Sequence, residues 1–147
     1  MREIKFRAWD KKQKRMIYNV ASIHFEKSGE LLCISEFVAG RYFPKDIFAD
    51  NIILMQYTGL KDKNGREIYE GDIVKVKNHT FGEKYRNYLC FMVNRDKRTG
   101  AWELFFINNK GKMEVAPDWA NTDLYEGKVE IIGNIYENPE LLKEEEK

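Results

Sequence analysis

The sequence contains few of the residue types on which metal sites and thiol chemistry depend. Of its 147 residues, two are cysteine and two are histidine. They are Cys33, Cys90, His24 and His79. Zinc sites use closely spaced pairs of such ligands, and no two of these four are close in sequence. We therefore expect no metal ion and no cofactor, and we interpret both cysteines as buried free thiols in a reducing compartment.

Motifs of catalysis are missing as well. A phosphate-binding loop needs several glycines ahead of a helix, whereas residues 57–60 (YTGL) contain one glycine. Glu70 and Asp72, two positions apart, have the spacing of an acid–base pair, but a turn that holds both carboxylates in water is favoured. A Cys–His nucleophile needs only proximity in the fold, so it stays open, although thiols buried in strands are usually inert. We predict no catalytic residue, and hence that the protein is not an enzyme.

Long apolar segments are missing too. No apolar run approaches the length of a membrane-spanning helix. The N-terminus is charged from Arg2 onward and lacks the apolar region of a signal peptide. The sequence therefore predicts a cytoplasmic protein without membrane contact.

A large net charge is also missing, because 25 lysines and arginines face 24 acidic residues. This balance argues against a dedicated polyanion binder, but it hides a basic middle segment, residues 75–112, with nine bases against three acids. Aromatic residues are interleaved with these bases, which would suit nucleic-acid contact. Solvated strand faces and turns give the same pattern and are the favoured interpretation. Nucleic-acid binding through this segment is the alternative.

What the chain does contain is the pattern of short strands. Hydrophobic residues make up 43% of the sequence and aromatic residues 14%, which is ample for a core. Alternating apolar and polar residues, separated by turn signals, predict a mainly β protein with roughly ten short antiparallel strands. We expect one domain over residues 1–147, or two packed β units, 1–68 and 69–147.

Several local expectations accompany this prediction. Residues 3–20 read as a hairpin, and Gly133 reads as a bulge in the last strand. A short helical turn is predicted over residues 45–49, and an irregular segment over 117–125. Asn138 followed by Pro139 predicts one short C-terminal helix.

The densest turn signals lie between Gln56 and Lys77. Within this stretch, residues 62–65 (DKNG) predict a hairpin loop that Gly65 closes in the left-handed conformation. Pure turn chemistry is the favoured interpretation, but exposed loops on rigid scaffolds also carry function. We therefore take this loop and the basic turn that follows residue 94 as a candidate interaction surface. Its members are Lys61, Asp62, Lys63, Asn64, Arg66, Arg95, Lys97 and Arg98.

Aromatic residues that the core does not need are natural anchors of a protein interface. Four of them are candidates on this ground. They are Tyr42, Tyr57, Tyr85 and Trp119. A protein-interaction module is therefore the leading hypothesis, and self-association is a further expectation.

Three segments match one known pattern: REIKFRAWDKKQKRMIY (2–18), YTGLKDKNGREIYEGDIVKV (57–76) and IIGNIYENPELL (131–142). In order and spacing they resemble the YopX-like family of small proteins encoded by bacteriophages and prophages. The resemblance implies a β-rich fold with an SH3-like barrel from about Tyr69 onward, and the cytoplasm of a bacterial host. It implies no reaction, cofactor or catalytic residue. The expected partner is a host or phage protein.

Overall fold

Strands dominate the computed structural model, which describes residues 3–80 and 87–143. The strands are β1 (Phe6–Asp10), β2 (Arg15–Ile17), β3 (Val20–Phe25), β4 (Leu31–Glu36), β5 (Lys45–Phe48), β6 (Ile52–Lys61), β7 (Glu67–Tyr69), β8 (Asp72–Lys77), β9 (Tyr88–Arg95), β10 (Trp102–Ile107), β11 (Met113–Val115) and β12 (Glu130–Asn134). One α-helix, α1 (Asp118–Tyr125), and two 3₁₀ turns, Ala49–Asn51 and Pro139–Leu142, complete the described elements. The expectation of a mainly β fold with many short antiparallel strands is confirmed.

The chain divides into two compact units. The first unit is Glu3–Gln56, and the second begins at Tyr57, within β6. The sequence placed this division between residues 68 and 69. The hairpin of β6 and β7 explains the difference, because Tyr57 pairs with Tyr69 across it and so ties residues 57–69 to the second unit.

In the first unit, β1 pairs antiparallel with β2 and with residues 52–56 of β6, while β3, β4 and β5 form a separate antiparallel sheet. The predicted N-terminal hairpin is confirmed by β1 and β2. Small and β-branched side chains make the core of this unit. They are Ala8, Ile17, Ile34, Ile47 and Ile52.

The helical turn predicted over residues 45–49 is wrong. Lys45–Phe48 is the edge strand β5, and the 3₁₀ turn starts only at Ala49. Ile47 is buried opposite Ile34 of β4. Pairing with β4 and burial of Ile47 therefore decided the conformation of a segment whose local pattern was ambiguous.

The second unit is built on an antiparallel sheet in the order β11-β10-β9-β8-β12. One face of this sheet forms the larger core together with α1. Its fully buried members include Val74, Val76, Val93, Leu104, Leu124 and Val129. The predicted bulge in the last strand is confirmed, since the register of β12 against β8 shifts between Ile131 and Gly133.

The irregular segment predicted over residues 117–125 is wrong, because Asp118–Tyr125 is the helix α1. Ala120 and Leu124, four residues apart, are both fully buried against the sheet. Asn121 Oδ1 accepts from the Leu104 N–H at 2.7 Å, and Tyr125 Oη donates to the Trp102 carbonyl at 2.8 Å. Contacts with β10 therefore stabilise a helix whose sequence carries a weak helical signal.

The C-terminal helix predicted after Asn138 is a short 3₁₀ turn, Pro139–Leu142. Asn138 does not cap it through its side chain. Its Oδ1 instead accepts from the Asn134 N–H at 3.3 Å, which ties the turn to the end of β12.

Candidate interaction surface

The hairpin loop after β6 has the predicted geometry, with Gly65 at φ 79°. Asp62, however, is buried rather than presented to solvent. Its Oδ1 accepts from the N–H groups of Asn64 and Arg66, each at 2.9 Å, and its Oδ2 accepts from the Ile131 N–H at 3.1 Å. Asp62 therefore holds the loop to β12 and is not available to a ligand.

Two basic residues of the same loop are also engaged with β12. The Lys63 ammonium lies 2.9 Å from Glu130 Oε2, and Lys75 of β8 lies 3.4 Å from the same oxygen. Lys63, more than any other group, holds the pKa of the Glu130 carboxyl below its ordinary value. Arg66 donates to the Ile131 carbonyl at 3.3 Å. Lys61, Lys63, Asn64 and Arg66 are all exposed, so Asp62 is the one predicted residue of this loop that the fold buries.

The basic turn between β9 and β10 is more open. Arg95, Lys97 and Arg98 are all exposed, and Arg95 stacks its guanidinium over the Trp102 ring at 4.5 Å from the centroid. Asp96 shapes this turn through bonds from the backbone N–H groups of Arg98 and Thr99, which lower the pKa of its carboxyl.

The exposed bases of the segment 75–112 do not lie together among the described residues. Arg95, Lys97 and Arg98 precede β10, Lys110 and Lys112 follow it, and Lys77 ends β8. The six residues of β10 separate the first two groups by roughly 20 Å. Lys84 and Arg86 lie outside the described residues. The described bases on the two sides of β10 therefore form separate patches rather than one groove.

The predicted aromatic anchors fall in different places. Tyr42 is 96% exposed. Tyr57 is buried, so it is not an anchor. Trp119 packs on the core beside Phe91, with ring centroids 6.4 Å apart. Tyr85 lies outside the described residues.

The connection between β4 and β5, residues 37–44, exposes two further aromatic side chains that the sequence pattern did not mark as exposed. We call it the aromatic loop. Phe37 is 63% exposed, Phe43 is 76% exposed, and Phe43 meets Tyr42 edge to face at 5.4 Å. The sequence does carry a signal for this exposure. The strand pattern breaks after residue 38, and the two adjacent aromatic residues that follow have no neighbouring strand that could bury them.

Two strong contacts hold the base of the aromatic loop. Glu36, the last residue of β4, binds the Arg15 guanidinium through both carboxylate oxygens, at 2.7 and 2.6 Å. This contact lowers the pKa of the buried Glu36 carboxyl. Phe37 then donates its N–H to the Asn19 carbonyl at 3.0 Å. The loop thus starts from a fixed point, which limits the ordering entropy that a ligand would need to offset.

Several exposed cations lie within the aromatic loop or in the turn linked to its base. The β1–β2 turn exposes Lys11, Lys12 and Lys14 directly before Arg15, whose guanidinium contacts Glu36. Arg41 is exposed within the loop itself. This end of the first unit therefore combines exposed aromatic rings with exposed cations.

The Cys–His pair that the sequence left open exists as neighbours on the β3–β4 sheet, where His24 pairs with Cys33. Burial raises the pKa of the Cys33 thiol, and the Asp46 carboxylate raises it further. His24 Nε2 lies 2.9 Å from Ser22 Oγ. The thiol is thus held in its unreactive protonated form.

In the second unit, His79 Nε2 lies 2.9 Å from the buried Asp123 Oδ2, and its ring meets Trp119 edge to face. No third His, Cys, Asp or Glu joins these side chains, or any other pair within residues 3–80 and 87–143, in a group that could hold a metal ion. Across the same residues, no helix has the length and apolarity needed to cross a membrane.

Comparisons with known proteins give two findings. A family model described as "YopX protein" matches residues 5–143. The chain is similar to protein EF1440 from Enterococcus faecalis, known from a crystal structure, at 28% identity and a TM-score of 0.66. That likeness covers 97% of this chain and 100% of the other. No curated protein matches the chain.

Proposed function

The chain belongs to the YopX protein family, and on this basis we propose that it is an accessory protein of a bacteriophage or prophage that binds another protein rather than catalysing a reaction. The proposed setting is the cytoplasm of the bacterial host. The proposed partner is a host or phage protein.

The exposure of the aromatic loop carries this proposal. Tyr42 and Phe43 are adjacent, 96% and 76% exposed, and in edge-to-face contact. Aromatic rings with an exposed arginine beside them, here Arg41, are the composition of interface hot spots. Large apolar side chains left in water have no stabilising role in the unbound protein, whereas a partner that covers them removes apolar surface from water.

The environment of the loop supports a protein partner. The bidentate contact of Arg15 with Glu36 fixes its base, so binding orders few additional residues. Arg41 precedes Tyr42 in the loop, and the lysines of the β1–β2 turn precede Arg15, which contacts Glu36 at the base of the loop. These cations would steer an acidic surface toward this end of the unit. The partner proposed is therefore a protein with an apolar pocket and an acidic rim.

The experiment is affinity purification from phage-infected cells, with and without nuclease, followed by mass spectrometry. The variants are Tyr42→Ala/Phe43→Ala and, as a matched control, Phe25→Ala, which removes a ring of 58% exposure at the opposite end of β4. We expect a protein that the wild type and Phe25→Ala recover, that Tyr42→Ala/Phe43→Ala loses, and that survives nuclease.

Two results would contradict the proposal. Equal recovery by all three proteins would mean that the aromatic loop is not the contact. Loss of every captured protein on nuclease treatment would favour the nucleic-acid alternative. That alternative predicts binding that weakens steeply with salt and is lost when Arg95, Lys97 and Arg98 are changed to glutamate.

A further inference from the structure

The strand β11 lies at one end of the five-stranded sheet, with β10 as its neighbour. The backbone of Lys112 and that of Ala116 point toward β10, since the Lys112 carbonyl accepts from Asn108 N–H and the Ala116 N–H donates to the Leu104 carbonyl. Backbone direction alternates along an antiparallel strand. The N–H and C=O groups of Met113 and Val115 therefore point away from the sheet, at an edge that another strand can extend.

The side chains of this edge are apolar on one face. Met113 is 50% exposed, Val115 is 47% exposed, and Ile107, opposite Met113 on β10, is 39% exposed. The alternate positions, Lys112 and Glu114, carry opposite charges on the other face. An exposed apolar edge of this kind is a template for strand addition.

We propose that β11 pairs antiparallel with β11 of a second copy of this chain, which joins the two five-stranded sheets across a twofold axis. A twofold contact uses the same surface on both copies. The position of the twofold axis along β11 therefore decides which residue of one copy faces which residue of the other. Met113 and Val115 point outward, whereas the Gly111 N–H is bonded to the Asn108 carbonyl within the turn. Met113 must therefore face Met113 or Val115 of the second copy, which gives two registers.

Charge selects between the two registers. If Met113 faces Met113, then Lys112 of each copy faces Glu114 of the other, and two opposite-charge pairs form. If Met113 faces Val115, then Glu114 faces Glu114, which is repulsive. The first register is therefore the one proposed. Glu114 Oε1 accepts from Asn108 Nδ2 at 2.7 Å, and Oε2 is the acceptor offered to Lys112.

The contact is small. Stable dimers bury about 800 Å² per subunit, and an edge of about five residues covers less than that, so the dimer forms only at high protein concentration. Each exposed ion pair strengthens it by roughly twofold to fivefold. Reversing one charge replaces both symmetric pairs by like-charge pairs, which should weaken dimerisation by roughly tenfold or more.

The test is sedimentation equilibrium over a concentration series at low salt, on the wild type and on Lys112→Glu, Glu114→Lys and the double exchange. Each single change should weaken the dimer at least tenfold, and the double exchange should restore it. Lys97→Glu, an equal change of charge on the distant β9–β10 turn, should leave it unchanged. Thermal unfolding of each variant checks that the fold is intact.

Met113→Pro is a second, independent variant. It removes an N–H that points away from β10, so the sheet within one copy keeps its bonds while dimerisation is lost.

Three results would overturn the inference: a wild type that is monomeric at every concentration, single reversals that leave the dimer intact, or a double exchange that fails to restore it. The inference is independent of the aromatic loop. Tyr42→Ala/Phe43→Ala should dimerise as the wild type does, whatever it recovers from cells.

Discussion

Asp62 provides the sharpest test of how the hairpin loop is held. Its carboxylate accepts three backbone N–H groups, two within its own loop and one from Ile131 on β12. Asp62→Ala removes all three acceptor contacts. The two loop N–H groups can then bind water, but the Ile131 N–H is buried and is left without its partner.

The magnitude follows from these contacts. A buried N–H without a partner costs about 1–3 kcal/mol, and each lost local bond about 0.5–1.5 kcal/mol. Asp62→Ala should therefore lower the free energy of unfolding by roughly 2–5 kcal/mol. At about 2–4 °C per kcal/mol for a chain of this length, the melting temperature should fall by roughly 5–15 °C.

The matched control is Asp96→Ala. Asp96 makes the same kind of local turn contact, accepting from the N–H groups of Arg98 and Thr99 at 2.7 and 3.2 Å, but those bonds are exposed and stay within its own turn. Its loss should cost about 1–2 kcal/mol. The measurement is urea denaturation followed by circular dichroism. If the two variants lose equal stability, the bond from the Ile131 N–H to Asp62 contributes little to stability.

Three further predictions concern other contacts. Glu36→Gln should destabilise the chain by about 2–4 kcal/mol, because it leaves the Arg15 guanidinium without its carboxylate. The pKa of the Glu36 carboxyl is lowered in the folded state, so its contribution to the free energy of unfolding is full above the pKa of the unfolded chain and is lost as the pH falls through the folded-state pKa. Urea denaturation at a series of acidic pH values should show this loss in the wild type and not in Glu36→Gln. Gly133→Ala would bring a Cβ to 2.8 Å from Asn138 Cγ and should cost about 1–3 kcal/mol, and adding Asn138→Gly should recover part of that loss in the same assay. His79→Ala removes the partner of the buried Asp123 carboxylate and should cost about 1–3 kcal/mol, with a change in Trp119 fluorescence.

The sequence predicted local features well where one residue type decides the backbone. The hairpin loop at residues 62–65 depends on Gly65, whose left-handed conformation few other residues adopt. At the bulge, Gly133 is needed for a different reason, since a Cβ there would collide with the Asn138 side chain. Short apolar or alternating runs bounded by turn residues were sufficient for β1, β4, β8 and β9, although each of these strands buries residues on both faces.

Segments with ambiguous local preference were predicted less well. Lys45–Phe48 became a strand because β4 offers it a pairing edge and Ile47 a buried site. Asp118–Tyr125 became a helix because Ala120 and Leu124 reach the core beside Leu104. In both cases the conformation is stabilised by packing against residues distant in sequence, and the segment's own residues do not show where those residues lie.

By itself, the sequence determined the class of fold, the main turns and the family, since these depend on residue pattern and turn chemistry. Only the tertiary structure decided which polar and aromatic residues are available to a ligand. Asp62 looked like an exposed turn residue and is buried because Ile131, 69 positions away, donates to it. Phe37 and Phe43 looked like ordinary apolar residues and are exposed because the loop that carries them leaves the β3–β4–β5 sheet. Exposure is a property of neighbours in space, so it follows from the packed chain and not from its pattern.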